Sequence, residues 1–169
     1  MTSQPPDHTK DIPLLDALLR AELGLSILVV DTEGIIWHCN PLAERLLVPR
    51  VGPMVGRSVE HIHNELGVNH DRYLAAMAKT VADGEYRFRQ KIDTGSGIVH
   101  LDSCMLPLYD RQHNLHGFAL VSSDCTELVI AEDMQRKLSR AVNQSPVAII
   151  ITDSEGCVEY VNSRFTEIT

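Results

Sequence analysis

The chain has 169 residues, of which 44% are hydrophobic and 22% charged, a balance typical of a soluble globular domain. A formal net charge of −8 leaves no basic surface to neutralise phosphates, so we expect neither nucleic acid nor a membrane as a partner. The N-terminus lacks a signal-peptide pattern, no apolar run could span a bilayer, and the four cysteines form no CxxC pair. Together these features predict a cytoplasmic location.

The first 24 residues divide into a polar tail and a short helix. Residues 1–10 contain two prolines and no apolar run, which predicts disorder. Over residues 11–24 a stripe of leucines predicts an amphipathic helix that begins at Asp11 and ends at Gly24.

The next hundred residues carry the pattern of an antiparallel sheet. Five segments with strand-like composition are bounded by turn residues, and they are 25–31, 35–40, 86–93, 98–109 and 115–123. Helical segments separate the second strand from the third, and they begin at Pro41, near Val55 and at Asp71, the first stopping near Pro49. Two strands, several small helices and then three strands predict an α+β domain. Its five-stranded antiparallel sheet should carry the small helices on one face.

Residues 127–145 change to a helical repeat with a period of 3.5. The members of the repeat are Leu128, Ala131, Gln135, Leu138, Val142 and Ser145, with charged residues on both flanks. Such a stripe either packs on its own domain or forms the seam of a parallel two-stranded coiled coil. We favour the coiled coil because the other sides of the helix are charged. A homodimer is therefore predicted, with the leading helix over 12–23 adding a second contact.

An internal repeat is the most informative feature of the sequence. ILVVDTEGIIWHCNPLAERLL (27–47) aligns without gaps on IIITDSEGCVEYVNSRFTEIT (149–169). Asp31 matches Asp153, Gly34 matches Gly156, and Asn40 matches Asn162. The glycine permits a tight turn between two strands, and the asparagine is suited to cap the helix that follows.

These motifs resemble the PAS sensory family. GIIWHCNPLAERLL resembles its second strand and first helix, and residues 86–124 resemble its last three strands. Asp124-Cys125-Thr126-Glu127 is similar to the family's closing Asp-x-Thr-Glu, and the resemblance implies that Asp124 and Thr126 take part in signal transmission. It covers 25–126 as a complete PAS domain, followed by a signalling helix over 127–145. Residues 146–169 resemble the truncated start of a second PAS domain, which implies a longer multidomain protein.

His70 gives a weaker local resemblance to the haem-binding oxygen sensors of this family. His70, Leu74, Met77 and Val81 recur at spacings of four, three and four, which predicts one helix face directed into the pocket. The resemblance implies haem b as the cofactor and His70 as its iron ligand. The alternative is a half-solvated histidine at the start of a helix in a domain without cofactor, and this is the interpretation we favour. The cofactor is otherwise unknown.

Other candidate sites have simpler explanations. His61, His63 and His70 could be read as a metal cluster, but their spacing fixes no geometry, so surface histidines are the better interpretation. On the third strand, Tyr86, Phe88 and Ile92 are expected to face inward, which turns Arg87 and Arg89 outward. Enzyme motifs were not found, so we expect no catalytic activity from this chain.

Two functions compete. The first is a sensory module of a multidomain signalling protein (a histidine kinase of a two-component system, a cyclic-di-GMP enzyme or a chemoreceptor). It would sense a small ligand, or a gas or redox state at haem, and pass the signal through a dimeric helix to downstream domains. The alternative is a ligand-free PAS module for dimerisation and spacing.

Overall fold

The computed structural model describes residues 24–169, which form two compact units, one ending at Cys125 and the other comprising Thr126–Thr169. The predicted tail over 1–10 and the predicted helix over 11–24 lie outside the described residues, except for Gly24. Within the described range, no helix is both long and apolar enough to cross a membrane.

The first unit is an α+β domain with a five-stranded sheet. Its strands are β1 (Leu25–Asp31), β2 (Ile36–Cys39), β3 (Tyr86–Asp93), β4 (Ile98–Tyr109) and β5 (Leu115–Asp124). Its helices are α1 (Pro41–Val51), α2 (Val59–Leu66) and α3 (His70–Asp83). The strand order is β2-β1-β5-β4-β3 and every pairing is antiparallel. The predicted fold class is confirmed.

The first and the last strand of the domain are neighbours inside the sheet, with β5 at its centre. β1 pairs with β5 along its whole length, from Leu25 opposite Ser123 to Asp31 opposite Gly117. Gly117 is required at that point because a Cβ atom there would lie 2.1 Å from the carbonyl oxygen of Val30. The strand edge next to β2 is partly covered by the segment before α2, where the Ile36 N–H donates to the Arg57 carbonyl at 2.9 Å.

The helices and the sheet enclose one apolar core. Its most buried side chains include Ile36, Met54, Met105 and Phe118, each no more than 2% exposed. On β3 the exposure alternates residue by residue, so that Tyr86 and Phe88 face the core, as predicted. The core is therefore closed by large, flexible or aromatic side chains on the helix-facing side of the sheet.

Helix α1 extends past the predicted stop near Pro49. A proline within a helix removes one hydrogen bond, but here it lies in the last turn, where this loss is small. Val51 is 8% exposed and packs in the core, and the Gly52 N–H donates to the Val48 carbonyl at 2.8 Å. Burial of Val51 and closure at Gly52 keep the last turn helical.

A buried asparagine connects β1, β2 and α1. The Asn40 side chain is 2% exposed and caps α1 by accepting from the Ala43 N–H at 3.0 Å. The same oxygen accepts from the Ile27 N–H at 3.0 Å, and the amide nitrogen donates to the Leu25 carbonyl at 2.7 Å. One side chain thus fixes the start of the first strand against the first turn of the helix.

The second unit repeats this arrangement on a smaller scale. It contains α4 (Thr126–Asn143), β6 (Ile150–Thr152), β7 (Val158–Val161) and α5 (Ser163–Ile168). Asn162 is fully buried and its side-chain oxygen accepts from the Ile149 and Phe165 N–H groups at 2.9 and 3.1 Å. In both units the turn is closed by an aspartate, Asp31 or Asp153, that accepts from N–H groups two and four residues later. The sequence repeat is therefore also a structural repeat.

We predict that Asn40→Ala lowers the free energy of unfolding by about 3 kcal/mol, because it removes a helix cap and leaves two partly buried backbone groups without the Asn40 side chain as a partner. Asn69→Ala is the control, since the Asn69 side chain is an exposed cap that accepts one bond, from the Asp71 N–H at 2.8 Å. It should cost about 1 kcal/mol. Urea denaturation measures both values, and an equal loss in the two variants would contradict the role assigned to Asn40.

Candidate functional site

The helical corner formed by α2 and α3 brings two histidines into contact. His63 lies in the last turn of α2 and His70 is the first residue of α3. Their Nδ1 atoms are 3.2 Å apart, so one ring donates and the other accepts. Both side chains are half-buried. Burial and the charge of His70 lower the pKa of His63.

The connection between the two helices holds this contact in place. Gly67 ends α2 in the left-handed conformation, with φ of 65°, a backbone state that favours glycine. The Val68 N–H donates to the His63 carbonyl at 2.8 Å, and the Asn69 side chain caps α3. Both ends of the short connection are therefore closed by hydrogen bonds.

Tyr73 forms the inner wall of this corner. Its ring contacts those of His63 and His70, with centroids 5.5 and 5.4 Å apart. Its hydroxyl is buried near the β1–β2 turn, 3.9 Å from where a Cβ on Gly34 would lie, and has no hydrogen-bond partner among the described residues. Burial, and then the negative charge of Asp31, raise the pKa of Tyr73 to about 12. The phenol therefore stays protonated at physiological pH.

The face of α3 that packs on the sheet differs from the predicted one. Its buried or core-packed residues are Tyr73, Ala76, Met77 and Thr80. Leu74 and Val81, predicted to line the pocket, are 50% and 46% exposed. At about 100° per residue the true inner face is rotated by about 80° from the predicted one. Thr80 fits inside because its hydroxyl donates to the Ala76 carbonyl at 2.8 Å.

The described residues do not fit a haem held as predicted. Of the three apolar residues expected to flank the macrocycle, only Met77 is directed towards the core. The His70 ring contacts His63 and Tyr73, so it belongs to a polar aromatic corner rather than to an apolar cavity. The contact between His63 and His70 could be identified only from the tertiary structure. The one signal in the sequence was that these histidines lie seven residues apart on either side of Gly67.

The remaining predicted site residues lie elsewhere. His61 does not join the other two histidines, because its Nε2 lies 3.2 Å from the Glu65 carboxylate. Over residues 24–169, no three His, Cys, Asp or Glu side chains converge to hold a metal ion. Asp124 is the last residue of β5 and Thr126 the first of α4. Between them, the Cys125 N–H donates to the His100 carbonyl at 2.9 Å.

Comparison with protein families identifies the fold. A family profile described as "PAS fold" matches residues 21–130, well over half of the chain. The chain belongs to the PAS family. A second profile, described as "PAS domain", matches residues 136–169, so the PAS resemblance of both segments is confirmed. No curated protein matches the chain significantly in sequence.

Solved structures share the PAS fold at low sequence identity. A PAS domain from Colwellia psychrerythraea is 19% identical with a TM-score of 0.53, and the match covers 67% of this chain and 96% of that one. The PAS domain of Bordetella pertussis BvgS is 16% identical with a TM-score of 0.51, over 75% and 96% of the two chains. An RNA-binding light-oxygen-voltage receptor is 19% identical with a TM-score of 0.58, over 83% of this chain and 41% of that one. At these identities the likeness establishes the fold alone.

We predict that Tyr73→Phe leaves the free energy of unfolding unchanged or raises it by up to about 1 kcal/mol, because a buried hydroxyl without a partner is costly. Tyr160→Phe is the control, since the Tyr160 hydroxyl donates to Asn143 at 2.9 Å. That variant should be destabilised by about 0.5–1 kcal/mol. Thermal or urea unfolding compares the two, and marked destabilisation by Tyr73→Phe would mean that its hydroxyl has a partner.

Proposed function

We propose that this chain is a regulatory PAS module that dimerises through α4 and passes a signal to further domains of the same protein. PAS domains are typically sensory modules without catalytic activity, and membership of the family supports a sensory role here. The sensory role in a histidine kinase, a cyclic-di-GMP enzyme or a chemoreceptor is part of the same proposal. The proposed input is a small ligand.

The observation that carries this proposal is the exposed apolar face of α4. No residue of this 18-residue helix is buried. Its exposed apolar side chains are Leu128 (51%), Ile130 (61%), Met134 (58%) and Leu138 (59%). Ile130 and Met134 widen the apolar stripe that the sequence predicts for this helix. Since each residue of an α-helix turns by about 100°, Leu138 lies near the centre of the widened stripe. A stripe of this width is typical of a helix that pairs with another.

Charged residues on the opposite side of α4 support the same interpretation. Arg136 contacts Glu132 and Asp133 at 3.5 Å, four and three residues earlier in the helix. These pairs are solvent-exposed and stabilise the helix only slightly. The helix therefore has one polar and one apolar side, and a second copy would cover the apolar side by symmetry. In that arrangement Asp124 and Thr126 mark the junction through which a change in the sheet reaches the helix.

The second candidate function is a ligand-free module for dimerisation and spacing. It is favoured by the packing on the inner side of the sheet, where Met54, Met105 and Phe118 fill the core with side chains no more than 2% exposed. Such a module shares the dimer with the first candidate but has no ligand. Absorption spectra and ligand-dependent unfolding temperatures separate the two.

We predict that Leu138→Glu raises the dissociation constant of the dimer at least about a hundredfold. The change removes Leu138 from both protomers, and burial of the two side chains contributes roughly 3 kcal/mol to the free energy of dimerisation. Lys137→Gln is the control, since it changes the net charge by the same single unit on the flank of the stripe. Sedimentation velocity across a concentration series measures both dissociation constants. A wild-type chain that stays monomeric at high concentration would contradict the proposed dimer.

The haem hypothesis gives a separate prediction. The described residues do not fit a haem flanked as predicted, but if the chain binds haem through the ligand that the sequence resemblance implies, His70→Ala should abolish the Soret absorbance or open the iron to added imidazole. His61→Ala is the control and should leave the spectrum unchanged. An unchanged spectrum in His70→Ala contradicts the assignment. A wild-type chain that takes up no haem supports the ligand-free module or another ligand.

A further inference from the structure

The contact between His63 and His70 has the dimensions of a metal chelate. Imidazole nitrogens lie about 2.0–2.1 Å from a bound transition-metal ion. At that bond length, two ligands on one ion are about 2.9 Å apart at a right angle and about 3.4 Å apart at the tetrahedral angle. The Nδ1 atoms of His63 and His70 are 3.2 Å apart, between these two values. An ion beside the pair would therefore lie within bonding distance of both nitrogens, once the two rings turn their Nδ1 lone pairs from each other towards the ion.

The backbone around the pair is already arranged for binding. His63 and His70 sit at the facing ends of two capped helices, and the connection closes through Gly67 and Val68. Tyr73 packs against both rings and keeps them in this corner. Two rings that are already held close together lower the entropy cost of ordering the side chains on binding.

We propose that His63 and His70 form a binding site for one divalent transition-metal ion of the class that favours imidazole, such as Ni²⁺ or Zn²⁺. Both nitrogens must offer a lone pair, so each neutral ring carries its proton on Nε2 in the bound form. In the free pair one ring holds its proton on Nδ1, and that proton moves to Nε2 of the same ring through solvent. No proton is gained or lost by the neutral pair.

The site is built for exchange rather than for permanent structure. Structural zinc sites use four protein ligands, whereas the described residues supply no third His, Cys, Asp or Glu at this position. The remaining coordination positions belong to water or to a donor from outside the chain. A bound ion would link the last turn of α2 to the first turn of α3, which gives the domain an input at the corner between these two helices. This inference is independent of the function proposed above.

The test is a calorimetric titration of the tag-free chain with NiCl₂, in a reductant that does not chelate metals. We expect one ion per chain, and His63→Gln and His70→Gln should each weaken binding at least about tenfold. His61→Gln is the matched control, because His61 lies on the same helix two residues away, and should bind like the wild type. Ni²⁺ should raise the unfolding temperature of the wild type and of His61→Gln only. Unchanged binding in the His63→Gln, His70→Gln double variant overturns the proposal.

A second measurement needs no variant. In the amide NMR spectrum of the wild type, paramagnetic Ni²⁺ should first broaden signals from residues 61–73. Broadening centred elsewhere, for example around His113, overturns the assignment. The outcome is separable from the haem and dimer predictions. The titration contains no haem, His63 has no part in the haem assignment, and Leu138→Glu should still bind Ni²⁺.

Discussion

A buried side-chain amide holds the first strand of the sheet to the first turn of the following helix. Asn40 accepts from two backbone N–H groups and donates to one carbonyl, and Asn162 repeats the arrangement in the second unit. An aspartate would lack the donor and bury a charge, and a leucine would leave the backbone groups unpaired. The position of the β1–β2 hairpin and the start of α1, which both border the core, depend on this connection. This dependence explains why the asparagine recurs in both copies of the repeat.

Much of the fold could be predicted because its determinants are local. The limits of β3 and β4 match the predicted 86–93 and 98–109, since alternating side chains and turn residues such as Gly95 fix them in the sequence itself. The end of α1 could not be predicted in this way. Pro49 is a local stop signal, and it is overridden by the burial of Val51, which depends on tertiary packing.

Less of the candidate site could be predicted from the sequence, because its arrangement also depends on tertiary packing. The spacing of His70, Leu74, Met77 and Val81 selects a side of α3 rich in apolar residues, but the two residues of α3 that are most deeply buried are small. These are Ala76 and Thr80, and neither stands out in a hydrophobic pattern. The contact of His63 with His70 depends on the path of the chain around Gly67, so the spacing of the two residues only hinted at it.

The pairing of β1 with β5 has a consequence for how such domains can be joined. Because Leu25 lies opposite Ser123, the chain enters and leaves the sheet on neighbouring strands at the same end. A domain with adjacent entry and exit can be threaded into a longer polypeptide without distorting what precedes or follows it. Copies can then follow one another along one polypeptide, each joined to its neighbours at the same end of its sheet. A second PAS segment within the same 169 residues is an arrangement that this geometry permits.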